Sequence, residues 1–324
     1  MSRRILIVRP SSLGDIVHAL PVVHDVHTYC GSDVQVDWVA EEAFASLIEM
    51  NHGVHRVIPF ALRRWRRELL HRATWRQMAQ FRTALRARAY HTVIDLQEQL
   101  KGALVSALAR GHVHGPDRAS IREPLATLAY RGKHAIDPQQ HLIDRCRQLA
   151  GKALGYTSDG PPVFDLVPPP LTAAQARPYV VLVHATSRPD KLWPEANWRK
   201  LVAYFTASGD CVVLPWGSAD EEARSRRLAE GFAAAIVPPR TSLPQVASLL
   251  SQARVVCGVD TGLVHLAAAL GVPTLALFTV TDPTLAGVAR ASRCAADLGG
   301  NGEVPSPEHA IATMQRLSAA SLVG

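Results

Sequence analysis

The segment VVCGVDTGLVHLAAALGVPTLALF, residues 255–278, holds a strand, a turn, a helix and a second strand in one continuous stretch. Val255–Val259 and Thr274–Phe278 are short apolar runs bounded by turn residues, which predicts two buried strands. The small and apolar residues from Thr261 onward predict a helix between them. A strand, a helix and a further strand in this order are typical of a parallel sheet covered by helices.

The same alternation extends through the rest of the chain, in two successive halves. Strands are predicted at 5–8, 34–40, 56–59 and 92–96 in the first half, and at 179–184, 210–215 and 234–237 in the second. Helical spacing predicts helices at 15–30, 41–50 and 66–89, from 194, 219 and 243 onward, and at 307–320, where Ser306 is an N-cap. The proline-rich stretches 159–162 and 168–170 predict a linker. We therefore predict an α/β protein with domains at 1–160 and 178–305, a linker at 161–177 and a final helix within 306–324.

Composition excludes several classes of protein. The chain has 324 residues, 48% hydrophobic and 19% charged, which is typical of a globular enzyme-sized protein. Every apolar stretch is interrupted before the roughly 18 residues that a membrane span needs, and the apolar run at 5–8 is too short for a signal peptide. We therefore expect a cytoplasmic protein.

Metal and dinucleotide sites are not indicated. The five cysteines stand at least 37 positions apart, and no His-Glu-x-x-His or Asp-x-Asp pattern occurs. The His112-Val113-His114 triplet is typical of an alternating strand. The first strand is not followed by Gly-x-Gly-x-x-Gly, which disfavours NAD.

Positive charge is concentrated in one segment. Residues 63–88 contain nine arginines and one acid, a net charge of +8 against +7 for the whole chain. Such a segment can be a solvated helix face or a docking surface for phosphates, nucleic acid or a membrane. Only Trp65 and Trp75 interleave the arginines and no nucleic-acid-binding fold is evident, so nucleic acid is disfavoured.

Polar residues follow four of the predicted strands, where ligands of open α/β sheets bind. Asp15 is either a charge at a helix N-terminus or a catalytic base. The turn 184–194 offers two hydroxyls and Lys191 to an anionic phosphate, and the acids at 220–222 could accept hydrogen bonds from a ribose. Asp260-Thr261-Gly262 at a helix start has the outline of a diphosphate cradle, because Gly262 allows close backbone approach.

These turns also make the chain recognisable. It contains Ser-Ser-Leu-Gly-Asp (11–15), His-Ala-Thr-Ser (184–187), Lys-Leu-Trp-Pro (191–194), Leu-Pro-Trp-Gly (214–217) and Val-Asp-Thr-Gly-Leu-Val-His-Leu (259–266). Together they resemble the bacterial lipopolysaccharide heptosyltransferases of glycosyltransferase family 9, above all those that add the first heptose to Kdo2-lipid A. The resemblance covers nearly the whole chain.

The resemblance implies a GT-B fold, two Rossmann-like α/β/α domains facing a central cleft, with the last helix crossing back to the first domain. It implies an inverting, metal-independent enzyme that needs no cofactor and moves L-glycero-D-manno-heptose from ADP-heptose to Kdo2-lipid A. Asp15 is then the general base and Lys191 stabilises the leaving ADP. Donor-binding residues carried over by motif are Thr186, Ser187, Lys191, Glu221, Thr241, Asp260, Thr261, Gly262 and His265. Ser187 and Thr241 stand where the family has threonine and methionine.

The resemblance implies a ligand for the arginine-rich segment 63–88, since lipid A phosphates and Kdo carboxylates are anionic. We expect Arg63, Arg64, Arg66 and Arg122 to bind the acceptor, and the protein to contact the anionic inner face of the cytoplasmic membrane peripherally. Alternatives are an enzyme that adds the second heptose, a non-catalytic nucleotide-binding protein and, much less favoured, a nucleic-acid-binding protein.

Overall fold

Two six-stranded parallel sheets organise the protein in the computed structural model, which describes residues 3–171 and 178–320. One sheet belongs to a unit formed by Met1–Val167 and the other to a unit formed by Pro168–Gly324. The division falls inside the predicted linker 161–177, of which residues 172–177 lie outside the described residues. The part of the linker that precedes the division is attached to the first unit, since the Asn51 side chain donates a 2.8 Å hydrogen bond to the Phe164 carbonyl.

The first unit alternates strands and helices along the chain. Its strands are β1 (Arg4–Val8), β2 (Gln35–Glu41), β3 (Val54–Phe60), β4 (Ala89–Asp95), β5 (Arg110–Pro116) and β6 (Gly132–His134). Its helices are α1 (Leu13–Ala19), α2 (Pro21–Cys30), α3 (Ala45–Ile48), α4 (Leu62–Trp65), α5 (Arg72–Arg86), α6 (Leu100–Leu108) and α7 (Leu142–Leu154), with 3-10 turns at Glu42–Phe44 and Pro124–Ala129. The strand order is β3-β2-β1-β4-β5-β6.

The second unit repeats this pattern. Its strands are β7 (Tyr179–Val183), β8 (Cys211–Val213), β9 (Ala235–Ile236), β10 (Val255–Val259), β11 (Thr274–Phe278) and β12 (Ala295–Gly299). Its helices are α8 (Glu195–Ala207), α9 (Ala219–Ala229), α10 (Leu243–Ser251), α11 (Gly262–Ala269), α12 (Pro283–Ala286) and α13 (Pro307–Ala320), with a 3-10 turn at Pro189–Lys191. The strand order is β12-β11-β10-β7-β8-β9.

Both sheets have the doubly wound order, in which the chain leaves the first strand of the unit in one direction and later returns to its other side. The strand order therefore reverses between β1 and β4 in the first unit and between β7 and β10 in the second. The loops that follow these four strands meet in pairs at the carboxyl edge of each sheet. Ligand sites are expected there.

Each sheet is packed on both faces. All side chains of β10 and β11 are buried, as are Ile5–Val8 of β1, which explains why these strands are near-continuous apolar runs. In the second unit Trp193, Trp198 and Phe205 form a core with Met314 of α13. Helix α13 packs on α8, β10, β11 and β12 of its own unit. Its crossing to the first unit stays a prediction, and residues 321–324 lie outside the described residues.

Some predicted helix bounds are wrong for local reasons. The helix predicted at 15–30 is two helices, because Pro21 has no N–H to continue α1 and instead begins α2 at its first position. The helix predicted at 66–89 begins only at Arg72, after the separate short helix α4. Helices α6 and α7 and strands β6 and β12 were not predicted. None of the helices in residues 3–171 and 178–320 is long and apolar enough to span a membrane.

Candidate active site

Asp15 lies in the first turn of α1, just beyond the carboxyl end of β1. Its Oδ2 accepts hydrogen bonds from the Ser12 backbone N–H at 2.8 Å and from the Ser12 hydroxyl at 2.6 Å. Its Oδ1 lies 3.0 Å from Arg9 Nη2. Burial disfavours the charged form, but the Arg9 charge and the Ser12 hydrogen bonds outweigh burial and lower the pKa of Asp15. Asp15 is therefore an ionised carboxylate at neutral pH, and it also caps the helix.

Arg9 is the buried partner of this carboxylate. Only 5% of its side chain is exposed, and its Nε has no hydrogen-bond partner among the described residues. Leaving a buried donor unpaired costs about 1–3 kcal/mol, and more when the group is charged. The hydrogen-bonding capacity of this buried guanidinium is therefore not fully used by the protein itself.

A cavity of about 390 Å³ opens beside Arg9 and Asp15. The loop after β4, residues 119–122 and helix α7 complete its wall. Glu98 in this wall has a left-handed backbone, with φ at 58°, and its carboxylate pairs with Arg145 of α7. The charged and amide side chains that line the cavity are Arg9, Asp15, Gln97, Glu98, Gln99, Arg122 and Arg145. The cavity therefore offers three guanidiniums and the carboxylate of Asp15 to a polar anionic molecule.

Two side chains connect the loop after β1 with the loop after β4. Gln97 Oε1 accepts a hydrogen bond from the Ser11 backbone N–H at 3.2 Å, and Lys101 Nζ donates to the Ser11 hydroxyl at 2.8 Å. Burial lowers the pKa of Lys101, and the positive charge of Arg63 lowers it further. Both loops are thereby held in place around Asp15.

The structure separates the four arginines predicted to bind the acceptor. Arg122 lines the cavity. Arg64 is occupied, because it forms a two-pronged contact with the Glu42 carboxylate at 3.0 and 2.9 Å and donates to Gln77 at 2.7 Å. Arg63 stacks over the Phe44 ring at 5.8 Å. Arg63 and Arg66 are exposed and do not line the cavity.

In the second unit, Asp260 stands at the centre of a hydrogen-bonded network at the end of β10. Its Oδ2 lies 2.5 Å from Lys191 Nζ and accepts a 2.7 Å hydrogen bond from the Thr281 hydroxyl. Its Oδ1 lies 3.4 Å from His265 Nε2. Burial would raise the pKa of Asp260, but the contacts with His265, Lys191 and Thr281 together lower it strongly. The network unites the loops after β7, β10 and β11, as the doubly wound order requires.

Other predicted donor-binding residues surround this network. The Thr186 hydroxyl donates to the Asp260 carbonyl at 3.4 Å, and Ser187 is exposed in the same loop. Thr261 is the N-cap of α11 and Gly262 its first residue. The first N–H groups of a helix have no partner within it, so this end of α11 can bind phosphate oxygens. The predicted phosphate-binding side chains and amides thus lie around one point.

Glu221 and Thr241 occupy neighbouring loops of the same edge. Glu221 Oε2 accepts a 2.7 Å hydrogen bond from the Gly217 backbone N–H, which stabilises the turn between β8 and α9. Thr241 is half-buried directly before Ser242, the N-cap of α10. The Glu221 carboxylate thus has a structural contact, and neither observation tests the ribose and adenosine roles, which stay predictions.

Four residues at the two sites were not predicted from the sequence: Arg9, Arg145, Lys101 and Thr281. Arg9 directly follows the first strand, and this position at the switch point could have singled it out. Thr281 lies three residues after the end of β11 in the second unit. Arg145 could not be found in this way, because it does not follow a strand. It lies in α7, and only the fold brings α7 to the cavity.

No group of three or more histidine, cysteine, aspartate or glutamate side chains is placed to hold a metal ion in the part of the chain that the structure describes. His112 and His114 lie in β5, as the alternating pattern predicted, and His114 Nδ1 lies 3.0 Å from His134 Nε2. The two sites therefore present cations and hydroxyls to their ligands.

Comparison with known proteins gives a consistent result. The sequence model of glycosyltransferase family 9 (heptosyltransferase) matches residues 78–305. Lipopolysaccharide heptosyltransferase 1 of Salmonella typhimurium is 46% identical over 290 residues, which cover 88% of this chain and 90% of that protein. The structure of E. coli heptosyltransferase WaaC with ADP is 39% identical and superposes with a TM-score of 0.89, covering 97% of this chain and 99% of that one. The same enzyme with ADP-2-deoxy-2-fluoro heptose gives a TM-score of 0.85 at 38% identity, with coverages of 97% and 99%.

Proposed function

The chain belongs to glycosyltransferase family 9, the heptosyltransferases, and we propose that it transfers L-glycero-D-manno-heptose from ADP-heptose to Kdo2-lipid A with inversion. The fold class predicted from the sequence agrees with this, since each unit has the doubly wound order. The observation that carries the choice of acceptor is the cavity of the first unit, where Asp15 stands beside three guanidiniums.

Asp15 acts as the general base in this proposal. The acceptor hydroxyl must lose its proton as its oxygen attacks the anomeric carbon of the heptose, and Asp15 is an ionised carboxylate on the cavity wall. The Arg9 charge lowers the proton affinity of Asp15. A Kdo carboxylate bound in the cavity beside Arg9 would share the charge of its guanidinium, so the pKa of Asp15 would rise when the acceptor is in place.

The anionic acceptor explains the charge of the cavity. A Kdo unit has a carboxylate, which an arginine fork matches with two hydrogen bonds. Arg9 and Arg122 have groups free for such a contact, whereas Arg145 already pairs with Glu98. A terminal heptose acceptor presents a neutral sugar to the base, and the relative named lipopolysaccharide heptosyltransferase 1 is 46% identical, which together favour transfer of the first heptose over the second.

The second unit binds the donor in this proposal. Lys191 and the N–H groups of Thr261 and Gly262 stabilise the negative charge that develops on the departing diphosphate, without a metal ion. Lys191 is held in place by Asp260 before the donor arrives. Thr186 and Ser187 add hydroxyl donors, and Asp260 and His265 face the heptose. Glu221 and Thr241 contact the ribose and adenine sides.

We place the enzyme at the cytoplasmic face of the inner membrane, because a nucleotide-sugar donor and a lipid-anchored acceptor meet there. The test is ADP release from ADP-heptose, measured with Kdo2-lipid A and, in parallel, with an acceptor that already carries the first heptose. Turnover with Kdo2-lipid A alone supports the proposal. Turnover only with the heptosylated acceptor assigns the second transfer, and ADP binding without turnover assigns a non-catalytic nucleotide-binding protein.

Metal independence is tested in the same assay. Activity should be unchanged in excess EDTA, because cations of the chain replace the metal at the diphosphate. Loss of activity with EDTA that Mg²⁺ or Mn²⁺ restores would show that an ion takes part.

A further inference from the structure

Five leucines of the first unit form an exposed apolar surface that the reaction does not use. Leu100, Leu104 and Leu108 follow one another at every fourth position of α6, and Leu125 and Leu128 lie in the 3-10 turn Pro124–Ala129, which packs against α6. The most exposed are Leu128 at 83%, Leu104 at 67% and Leu125 at 66%. We call this surface the leucine face. The intervening residues Ala103, Val105 and Ala126 are buried, so both elements carry apolar residues on their exposed side as well as on their buried side.

Such a surface is unusual for a protein in water. Isolated exposed apolar residues are common, but several together mark a contact with another molecule or a membrane. In the described part of the second unit the exposed large apolar side chains are Val280, Leu285 and Val304, each on a different short segment. In the described part of the first unit Leu69, Leu70 and Trp75 are exposed as well, before and at the start of α5, but the leucine face is the group next to the acceptor cavity.

The leucine face begins at the wall of that cavity. Gln99 lines the cavity and Leu100 is the next residue, while Arg122 lines it two residues before the 3-10 turn. The Glu123 carboxylate accepts a 2.8 Å hydrogen bond from the Leu100 backbone N–H and so joins the two elements at this point. An amphiphile whose polar head occupies the cavity would have its apolar chains next to these leucines.

Guanidiniums border the leucine face. Arg122 lies at its beginning, and at its other end Arg110 follows α6 while Arg86 of α5 donates a 2.9 Å hydrogen bond to the Leu108 carbonyl. Arg63 is close enough to Lys101 of α6 to lower its pKa. Arginines around an apolar surface suit an anionic bilayer, in which apolar side chains enter the acyl region while cations stay at the headgroups. A symmetric contact with a second copy would instead bring these like charges together.

We infer that the leucine face inserts into the acyl region of the anionic bilayer that carries the acceptor, and that it sets the acceptor cavity at the membrane surface. This inference rests on the proposed function for the identity of the membrane-borne acceptor. It adds apolar insertion to the electrostatic contact of the arginines. Salt weakens the electrostatic part over the Debye length of about 8 Å and leaves the apolar part in place.

The test uses the full chain and vesicles of phosphatidylethanolamine and phosphatidylglycerol, sedimented at low and at high salt. The double variant Leu104→Gln/Leu128→Gln keeps helix-forming character at α6 and removes the two most exposed side chains of the leucine face. The matched control is Val167→Thr/Val304→Thr, which changes two exposed apolar residues elsewhere. We expect the leucine variant to lose about tenfold or more of the vesicle binding at high salt, given the apolar area of two leucines, and the control to bind like the parent.

A second measurement makes the outcome independent of folding defects. Turnover with a water-soluble, deacylated Kdo acceptor should be equal in all three proteins, while the KM for Kdo2-lipid A in vesicles rises only in the leucine variant. Unchanged vesicle binding of the leucine variant overturns the inference. So does a parent protein that sediments as a dimer through these leucines. If no protein transfers heptose to either acceptor, the proposed function fails, and the vesicle comparison still decides the leucine face.

Discussion

Replacing Asp15 by asparagine separates its two roles, as proton acceptor and as helix cap. The asparagine side chain has the same shape, and its oxygen can still accept the hydrogen bond from the Ser12 N–H, which is 2.8 Å from Asp15 Oδ2. It cannot accept a proton from an acceptor hydroxyl. We therefore expect turnover to fall by about 10² to 10⁴, the usual contribution of a general base, and ADP affinity to be unchanged.

The same substitution leaves Arg9 without its anionic partner. Breaking a fully buried pair costs about 3–5 kcal/mol. Arg9 is 5% exposed but Asp15 is 35% exposed, so solvent screens the pair and we expect a smaller loss of about 1–3 kcal/mol in the free energy of unfolding. Because the pKa of Asp15 is lowered by folding, this contribution is complete above the unfolded pKa and disappears as the pH falls through the folded pKa. Parent and variant should therefore converge in acid.

The matched control is Ser12→Ala, which removes the hydroxyl that donates to Asp15 Oδ2 and leaves the carboxylate. It should cost about 1 kcal/mol of stability, as the loss of an N-cap does, and reduce turnover by much less than the asparagine variant. Both are compared in the ADP-release assay at saturating donor and acceptor. If Asp15→Asn retains more than about a third of the parent turnover, or if Ser12→Ala is equally inactive, Asp15 is a structural cap and not the base.

Four further substitutions test the two sites and a buried carboxylate outside them, Asp95 at the end of β4. Lys191→Met should weaken ADP binding about tenfold to a hundredfold, because a charge-assisted contact contributes about 1.5–3 kcal/mol. Equal ADP affinities of the parent and the variant, measured by titration calorimetry, would contradict this. Arg122→Ala should raise the acceptor KM by a similar factor with little effect on the donor KM, whereas Arg64→Ala should change neither, since Glu42 and Gln77 occupy Arg64. Burial raises the pKa of Asp95 to about 7, so stability should fall as the pH rises from about 4 to about 7, and Asp95→Asn should remove this slope in urea unfolding. If the free energy of unfolding depends on pH in the same way in the parent and in Asp95→Asn, Asp95 does not cause the slope.

The order of strands and helices could be predicted because buried parallel strands are nearly uniform apolar runs. The predicted bounds of β10 and β11 agree with the structure, since all of their side chains are buried. Helix bounds were less accurate where polar and apolar residues mix, as in the arginine-rich segment before Arg72. Helices α6 and α7 were missed. The leucine face on α6 also weakens the usual contrast between an apolar inner face and a polar outer face.

The candidate site was predictable where its residues follow a strand and hidden where they do not. Asp15, Lys191 and Asp260 all lie just beyond strands, and the doubly wound order places ligands there. Their partners come from pairings over long sequence distances. Lys191 and Asp260 are 69 residues apart, and nothing in the local pattern of either predicts that the ammonium and the carboxylate meet at 2.5 Å.

Each unit thus carries a carboxylate paired with a cation at its switch point, Asp15 with Arg9 and Asp260 with Lys191. Both substrates in the proposed reaction are anions. The acceptor would compete with Asp15 for Arg9, and the donor diphosphate would compete with Asp260 for Lys191. At Arg9 that competition raises the proton affinity of Asp15 when the acceptor binds, and at Lys191 it moves an ammonium toward the diphosphate that must leave. The pairs keep the cations oriented before the substrates bind, since unpaired buried charges would be costly. Arrival of the substrates then converts this stabilising arrangement into a stronger base in one unit and a charge-stabilising group in the other.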